Sequence, residues 1–160
     1  IIGLGTIGKE LVKLASGFCF NILAFDQQED ELFAKEYDVT YYNLETLLKK
    51  SDIVSIHLNL SDQTKHLIDK EKFKLMKPEA ILINTSRGKI IHETALNDAL
   101  TNKQIAGAGL DVFENEPYTG SLTKLDNVVL TPHIGAYARD IRIKMEMEAV
   151  ENLISGLNEV

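Results

Sequence analysis

The chain has 160 residues, 44% of them hydrophobic and 26% charged, with a net charge of −7 and one cysteine. That length suits a single domain with a real core, and the composition excludes a disordered or low-complexity chain. The acidic balance argues against nucleic acid, and Cys19 alone makes neither a disulfide nor a cysteine zinc cluster; with no membrane-length apolar run and no signal-peptide pattern, a cytoplasmic protein without a membrane partner is expected.

The first ten residues, IIGLGTIGKE, already contain a glycine-spaced turn, Gly3-x-Gly5-x-x-Gly8, with an apolar entry at Ile1 and Ile2 and a helical exit through IGKELVKLA. Strand-like runs then follow at residues 21–25 (NILAF), 39–42 (VTYY), 52–58 (DIVSIHL), 80–85 (AILINT), 105–112 (IAGAGLDV) and 127–132 (NVVLTP). Several are apolar throughout, which suits parallel strands covered on both faces. Between them, NLETLLKKS, KEKFKLM and HETALNDAL place apolar residues near a 3.6-residue period. Alternating strands and helices predict an α/β fold, a Rossmann-type doubly wound parallel sheet in three αβα layers, because each parallel strand needs a crossover that lays a helix over a sheet face. The last segment, residues 137–157, reads as a long amphipathic helix whose Ile, Met, Val and Leu stripe is expected to be core.

Glycines also mark ordinary tight turns, so the turn alone says little. Its support is Asp26, which closes the next strand 18 residues beyond Gly8. In a dinucleotide fingerprint Gly3 permits the turn, Gly5 lets the backbone approach a pyrophosphate, and Gly8 allows close helix packing. Amides near Thr6 and Ile7 would face the anion from the helix N-terminus. Asp26 would accept from ribose hydroxyls and repel a 2′-phosphate, which favours NAD over NADP.

Three later stretches each follow a strand, and ligands of open α/β sheets sit beyond the carboxyl ends of strands. NTSRGKI, residues 84–90, offers Arg87, whose planar guanidinium suits a carboxylate, although a surface arginine beside a turn glycine fits that stretch equally well. GLDVFENEP, residues 109–117, places Asp111 at a strand end with Glu114 and Glu116 beyond it, and Glu114 reads as a solvated loop residue. TPHIGA, residues 131–136, contains His133, a side chain able to exchange a proton near neutral pH. Glu116 and His133 would make a carboxylate–imidazole pair in which the carboxylate orients the ring and stabilises imidazolium.

Taken in order, GLGTIG, Asp26, DIVSIHLNLSDQTKHLI, ILINTSRGKIIHETAL, GAGLDVFENEP and VVLTPHIGA strongly resemble the D-isomer-specific 2-hydroxyacid dehydrogenase family. The resemblance covers nearly the whole chain. It implies a hydride transfer between NAD(H) and a 2-hydroxy or 2-oxo acid, with Arg87 binding the substrate carboxylate, His133 as acid and base, and Glu116 as its partner. It implies a cofactor site that also takes in Thr6, Ile7, Thr85, Asp111 at the nicotinamide end, and Gly135. Departures are Thr6 where the family often has Arg, Asn59 where it has Pro, and HIGA where it has HIGG. The resemblance further implies that residues 1–160 form an NAD-binding domain, that a discontinuous substrate domain lies outside this sequence, and that two copies pair through this domain as a homodimer. Rival readings are a non-catalytic corepressor that senses NAD on the same fold, and another Rossmann enzyme using FAD or S-adenosylmethionine.

Overall fold

The computed structural model describes residues 1–158. Six strands run in chain order: β1 (Ile22–Ala24), β2 (Val39–Tyr41), β3 (Ile53–Ile56), β4 (Ile81–Asn84), β5 (Gly107–Leu110) and β6 (Val128–Leu130). Among the described residues six α-helices accompany them: α1 (Thr6–Ala15), α2 (Glu31–Glu36), α3 (Leu44–Lys50), α4 (Lys70–Phe73), α5 (Glu93–Thr101) and α6 (Arg139–Asn158). Every strand pair is parallel: β1 with β2, and β3, β4, β5 and β6 side by side.

Ile2 joins the two groups. It bridges in parallel to Phe25 beyond β1 and to Ile56 of β3, and its N–H donates to Ser55 O at 2.8 Å while Gly3 N–H donates to Phe25 O at 2.8 Å. The sheet therefore reads β2, β1, Ile2, β3, β4, β5, β6. From Ile2 the chain first winds outward through β1 and β2, then returns and winds the other way. The point where the winding reverses is the switch point of a doubly wound sheet, and it opens a crevice at the carboxyl ends of the strands.

The apolar pattern explains the packing. Leu44, Leu47 and Leu48 of α3 lie on one helical stripe and are buried, as are Leu96, Ala99 and Leu100 of α5. They share one core with Ile2, Val54, Ile56, Phe73, Leu82 and Ile90. A second cluster, Leu4, Val12, Ala24, Phe33 and Val39, packs α1 and α2 over β1 and β2. A fully buried leucine such as Leu47 or Leu82 contributes roughly 1.5–3 kcal/mol by leaving water.

Two elements differ from expectation. Helix α2 gives no sequence stripe because only Phe33 of its six residues is buried; its local signal is Asp30, whose carboxylate accepts from Phe33 N–H at 3.0 Å as an N-cap. Helix α6 forms over the expected stretch, yet its apolar residues are not core: Ile141, Ile143, Met145 and Met147 are each at least half exposed, and Leu153 and Leu157 more so. The run IRIKMEME alternates every second residue. At about 100° per residue such an alternation throws successive apolar side chains onto opposite faces of a helix, so no single stripe forms. Among the described residues no helix is long and apolar enough to cross a membrane, and no cluster of metal-ligating side chains occurs.

Candidate functional site

The glycine loop lies at the switch point. Gly3 has φ +92°, and a Cβ there would come within 2.5 Å of His57 O, so both conformation and space require glycine. At Gly8 a Cβ would stand 2.3 Å from Gly3 O, which fixes how closely α1 approaches the loop. Gly5 differs: nothing lies within 4 Å of where its Cβ would be, and its φ of −72° is open to any residue. The protein itself does not need glycine at position 5, which leaves that space for a group from outside.

Helix α1 begins at this loop without a side-chain cap. By contrast Asp30, Asn43, Asp69 and His92 cap α2, α3, α4 and α5 through their own side chains. The first-turn amides of α1, around the exposed Thr6 and Ile7, are thus left to an incoming acceptor. Beside them Asp26 ties the loop to β1: Oδ2 accepts from Leu4 N–H at 2.6 Å and Oδ1 from Gln28 N–H at 3.0 Å. A hollow of about 560 Å³ opens here, lined by Gly5, Lys9, Asp26, Glu29, Asp30 and Glu31 among others. Its one lysine, Lys9, is paired with Asp30, and the Lys9 ammonium holds the Asp30 carboxyl below its ordinary value. Four carboxylates around one neutralised lysine disfavour a further phosphate and accept hydroxyl donors.

The loops after β4, β5 and β6 bring the later motifs to the same edge of the sheet. After β4, buried Asn84 organises the turn, accepting from Ser86 N–H at 3.0 Å and donating to Arg87 O at 3.0 Å. Thr85 and Arg87 are exposed; Arg87 Nη1 donates to Ser86 O at 2.7 Å, and no carboxylate of the described residues pairs with its guanidinium. Gly88 packs so tightly on the backbone of Phe113 that a Cβ would lie 2.0 Å from its carbonyl, which locks the Arg87 loop to the loop after β5.

Asp111, 5% exposed, holds the loop after β6. Its Oδ1 accepts from the Thr131 hydroxyl and from Ile134 N–H at 2.9 Å, and Oδ2 accepts from Gly135 N–H at 2.9 Å. Burial pushes the Asp111 carboxyl up, but the Thr131 hydroxyl and the two N–H groups outweigh it and leave the group below its ordinary value. Gly135 fits beneath this clasp, where a Cβ would meet Asp111 Oδ2 at 3.1 Å. Between Thr131 and Ile134 stands His133, in a left-handed conformation with φ +55°.

His133 Nδ1 lies 2.8 Å from Glu116 Oε2, and the other carboxylate oxygen of Glu116 accepts from Phe113 N–H at 3.0 Å. The bond to His133, followed by that from Phe113, holds the Glu116 carboxyl below its ordinary value. With Nδ1 donating to the carboxylate, Nε2 is the nitrogen left to exchange a proton. His133 is half exposed beside a hollow of about 690 Å³ lined by Phe113, Glu116, Pro117, Tyr118, Leu130, Thr131 and Tyr137 among others.

Sequence reasoning missed Thr131 as a partner of Asp111, although it stands two residues before His133 in the same motif. It also missed Lys9 and Asp30, which no local pattern links. Glu114 is not a solvated loop residue: its Oε1 accepts from Glu93 N–H at 2.9 Å, at the start of α5, and lies 3.1 Å from His66 Nε2.

Residues 1–135 match the family described as D-isomer specific 2-hydroxyacid dehydrogenase, NAD binding domain. A glyoxylate reductase from Korarchaeum cryptofilum is 46% identical over 157 residues, which take in 97% of this chain and 47% of the relative. A glyoxylate reductase from Thermococcus litoralis is 47% identical over 156 residues, again 97% of this chain and 47% of the relative. Among solved structures, D-lactate dehydrogenase from Aquifex aeolicus, complexed with NAD and lactic acid, matches with a TM-score of 0.90 at 32% identity, covering 99% of this chain and 52% of that one. The chain spans about half the length of the curated relatives it matches.

Proposed function

The chain belongs to the D-isomer specific 2-hydroxyacid dehydrogenase family as an NAD-binding domain, and on that premise we propose that it holds the cofactor and the acid–base group of an enzyme that interconverts D-2-hydroxy acids and 2-oxo acids. The observation that carries the proposal is the 2.8 Å contact of Glu116 with His133, on a loop that the buried Asp111 clasps. The comparisons give no support to a non-catalytic corepressor.

The residues fit the cofactor. The open space over Gly5 and the uncapped start of α1 at Thr6 and Ile7 would receive a pyrophosphate, and Asp26 would accept from the adenosine ribose hydroxyls. Thr85, Asp111 and Gly135, at the ends of β4, β5 and β6, would line the nicotinamide end. NAD, when bound, supplies the hydride acceptor or donor.

Arg87, with whose guanidinium no carboxylate of the described residues pairs, would take the substrate carboxylate on two parallel hydrogen bonds. His133 would give the carbonyl oxygen a proton from Nε2 during reduction and take it back during oxidation. Glu116 stabilises the imidazolium and keeps the ring turned so that Nε2 faces the reacting oxygen. Such a transfer needs both partners held in a water-poor cleft, which a second, substrate-binding domain would close from the other side. That domain would set which 2-oxo acid is accepted. The chain alone is accordingly expected to bind NAD weakly and turn over negligibly. A cytoplasmic setting fits the exposed, unpaired Cys19, and a homodimer would cover some of the apolar side chains that α6 exposes.

The test is NADH oxidation by the protein together with its substrate domain, using glyoxylate, hydroxypyruvate and pyruvate. Turnover of at least one, falling about 100-fold or more in His133→Gln, supports the proposal. An enzyme that reduces none, or whose His133→Gln variant keeps its rate, ends it.

A further inference from the structure

Between the Arg87 loop and the Glu116 loop lies a group of side chains for which the proposed chemistry has no use. Glu114 and Glu93 make a reciprocal pair across 21 residues: Glu114 Oε1 accepts from Glu93 N–H at 2.9 Å, and Glu114 N–H donates to Glu93 Oε2 at 3.3 Å. His66, from the loop after β3, sets its Nε2 3.1 Å from the same Glu114 oxygen. Its own N–H donates to Lys89 O at 2.8 Å, and its ring packs against His92 at 4.8 Å between centroids. His92 in turn caps α5 by accepting from Ala95 N–H. The Glu114 side chain is only 25% exposed. Three loops, after β3, β4 and β5, thus meet on one carboxylate.

That carboxylate lies two residues from Glu116 and bonds the helix that begins six residues after Arg87. Resting on the functional reading above, we propose that Glu114 is a positioning residue: by tying the 111–117 loop to the start of α5 it sets Glu116 against His133 Nδ1 and fixes that pair relative to Arg87. The Gly88–Phe113 packing and the bond from Asp111 N–H to Asn84 O join the two loops beside the strand ends. The Glu114–Glu93 pair adds a further tie, at the start of α5. Glu114 is not among the residues assigned above to substrate or cofactor, so its effect is on geometry, and a misplacement of about 1 Å at a reacting group costs up to about 100-fold in rate.

The experiment compares wild type with Glu114→Ala, Glu114→Gln and Glu93→Ala. In the full chain, long-range ¹H–¹⁵N spectra report the His133 imidazole, assigned by its loss in His133→Gln. Glu114→Ala is expected to shift the Nδ1 resonance away from its carboxylate-bonded position while NAD affinity stays unchanged. Glu114→Gln, whose amide oxygen still accepts from Glu93 N–H, is expected to restore it. Glu93→Ala, which removes only the return bond, should shift it less, and this variant stands in if Glu114→Ala does not fold. In the enzyme with its substrate domain, Glu114→Ala should lower kcat by about 10- to 100-fold with an unchanged KM for NADH. An unmoved His133 resonance in a folded Glu114→Ala chain, or in Glu93→Ala where Glu114→Ala does not fold, overturns the proposal and leaves Glu114 a helix cap. Should the wild-type enzyme reduce no 2-oxo acid, the functional reading fails while the resonance still decides the role of Glu114.

Discussion

The two ends of the crevice are built from different materials. At the glycine end the groups proposed to face the ligand are chiefly backbone: the N–H groups at the uncapped start of α1, beside the open space over Gly5, with Asp26 next to them. At the histidine end they are side chains, each held by a further side chain: His133 by Glu116, and the whole loop by Asp111. A backbone site is only as good as the fold that shapes it. A side-chain site can be lost while the fold survives.

The largest expected effect falls on the histidine end. His133→Gln should cut turnover by roughly 10²- to 10⁴-fold and leave NAD affinity and thermal stability near wild type, since the side chain is half exposed. A large fall in Tm would break the comparison by making the histidine part of the scaffold. Next comes Asp111→Asn. Asparagine presents one acceptor oxygen and one NH₂ to three donors, so urea denaturation should show a loss of about 1.5–3 kcal/mol, with turnover falling as the His133 loop relaxes.

The glycine end can be split by two alanines. Gly8→Ala drives a Cβ into Gly3 O and should cost roughly 1–3 kcal/mol of stability. Gly5→Ala meets no protein atom and should leave Tm unchanged while weakening NAD, read by calorimetric titration. If Gly5→Ala binds NAD as wild type does, the space over Gly5 is not where the pyrophosphate lies.

The smallest effect concerns acid. Asp111 and Glu116 are both held below their ordinary values of 3.8 and 4.5, so their stabilisation is complete above those values and drains away as pH falls through the lowered ones. Acid denaturation followed by circular dichroism should therefore be shallower in Asp111→Asn than in wild type. Equal slopes would mean that Asp111 is no clasp.

The same division explains what could be read in advance. Glycine spacing is a local code for backbone shape, so the loop, Asp26 and the parallel sheet were legible along the chain. His133 and Glu116 were legible as a pair because carboxylate and imidazole have an obvious use for each other. The clasp was not, because the pairing of Leu110 with Leu130 in adjacent strands is what carries Thr131, Ile134 and Gly135 to Asp111. Glu114 looked solvated for the same reason, since its partner Glu93 comes from another crossover. In α6 the period misleads: apolar residues at every second position mimic a stripe that a helix does not form.

The left-handed backbone at His133 sets a limit on improvement. Non-glycine residues seldom occupy φ +55°, histidine more readily than most, and holding one there costs on the order of 1 kcal/mol. Selection for heat resistance alone would replace it, and His133→Asn or His133→Gly is expected to raise Tm while destroying acid–base chemistry. Thermostable variants gathered without an activity screen should therefore be enriched in substitutions that an active population excludes, a trade-off written into one dihedral angle.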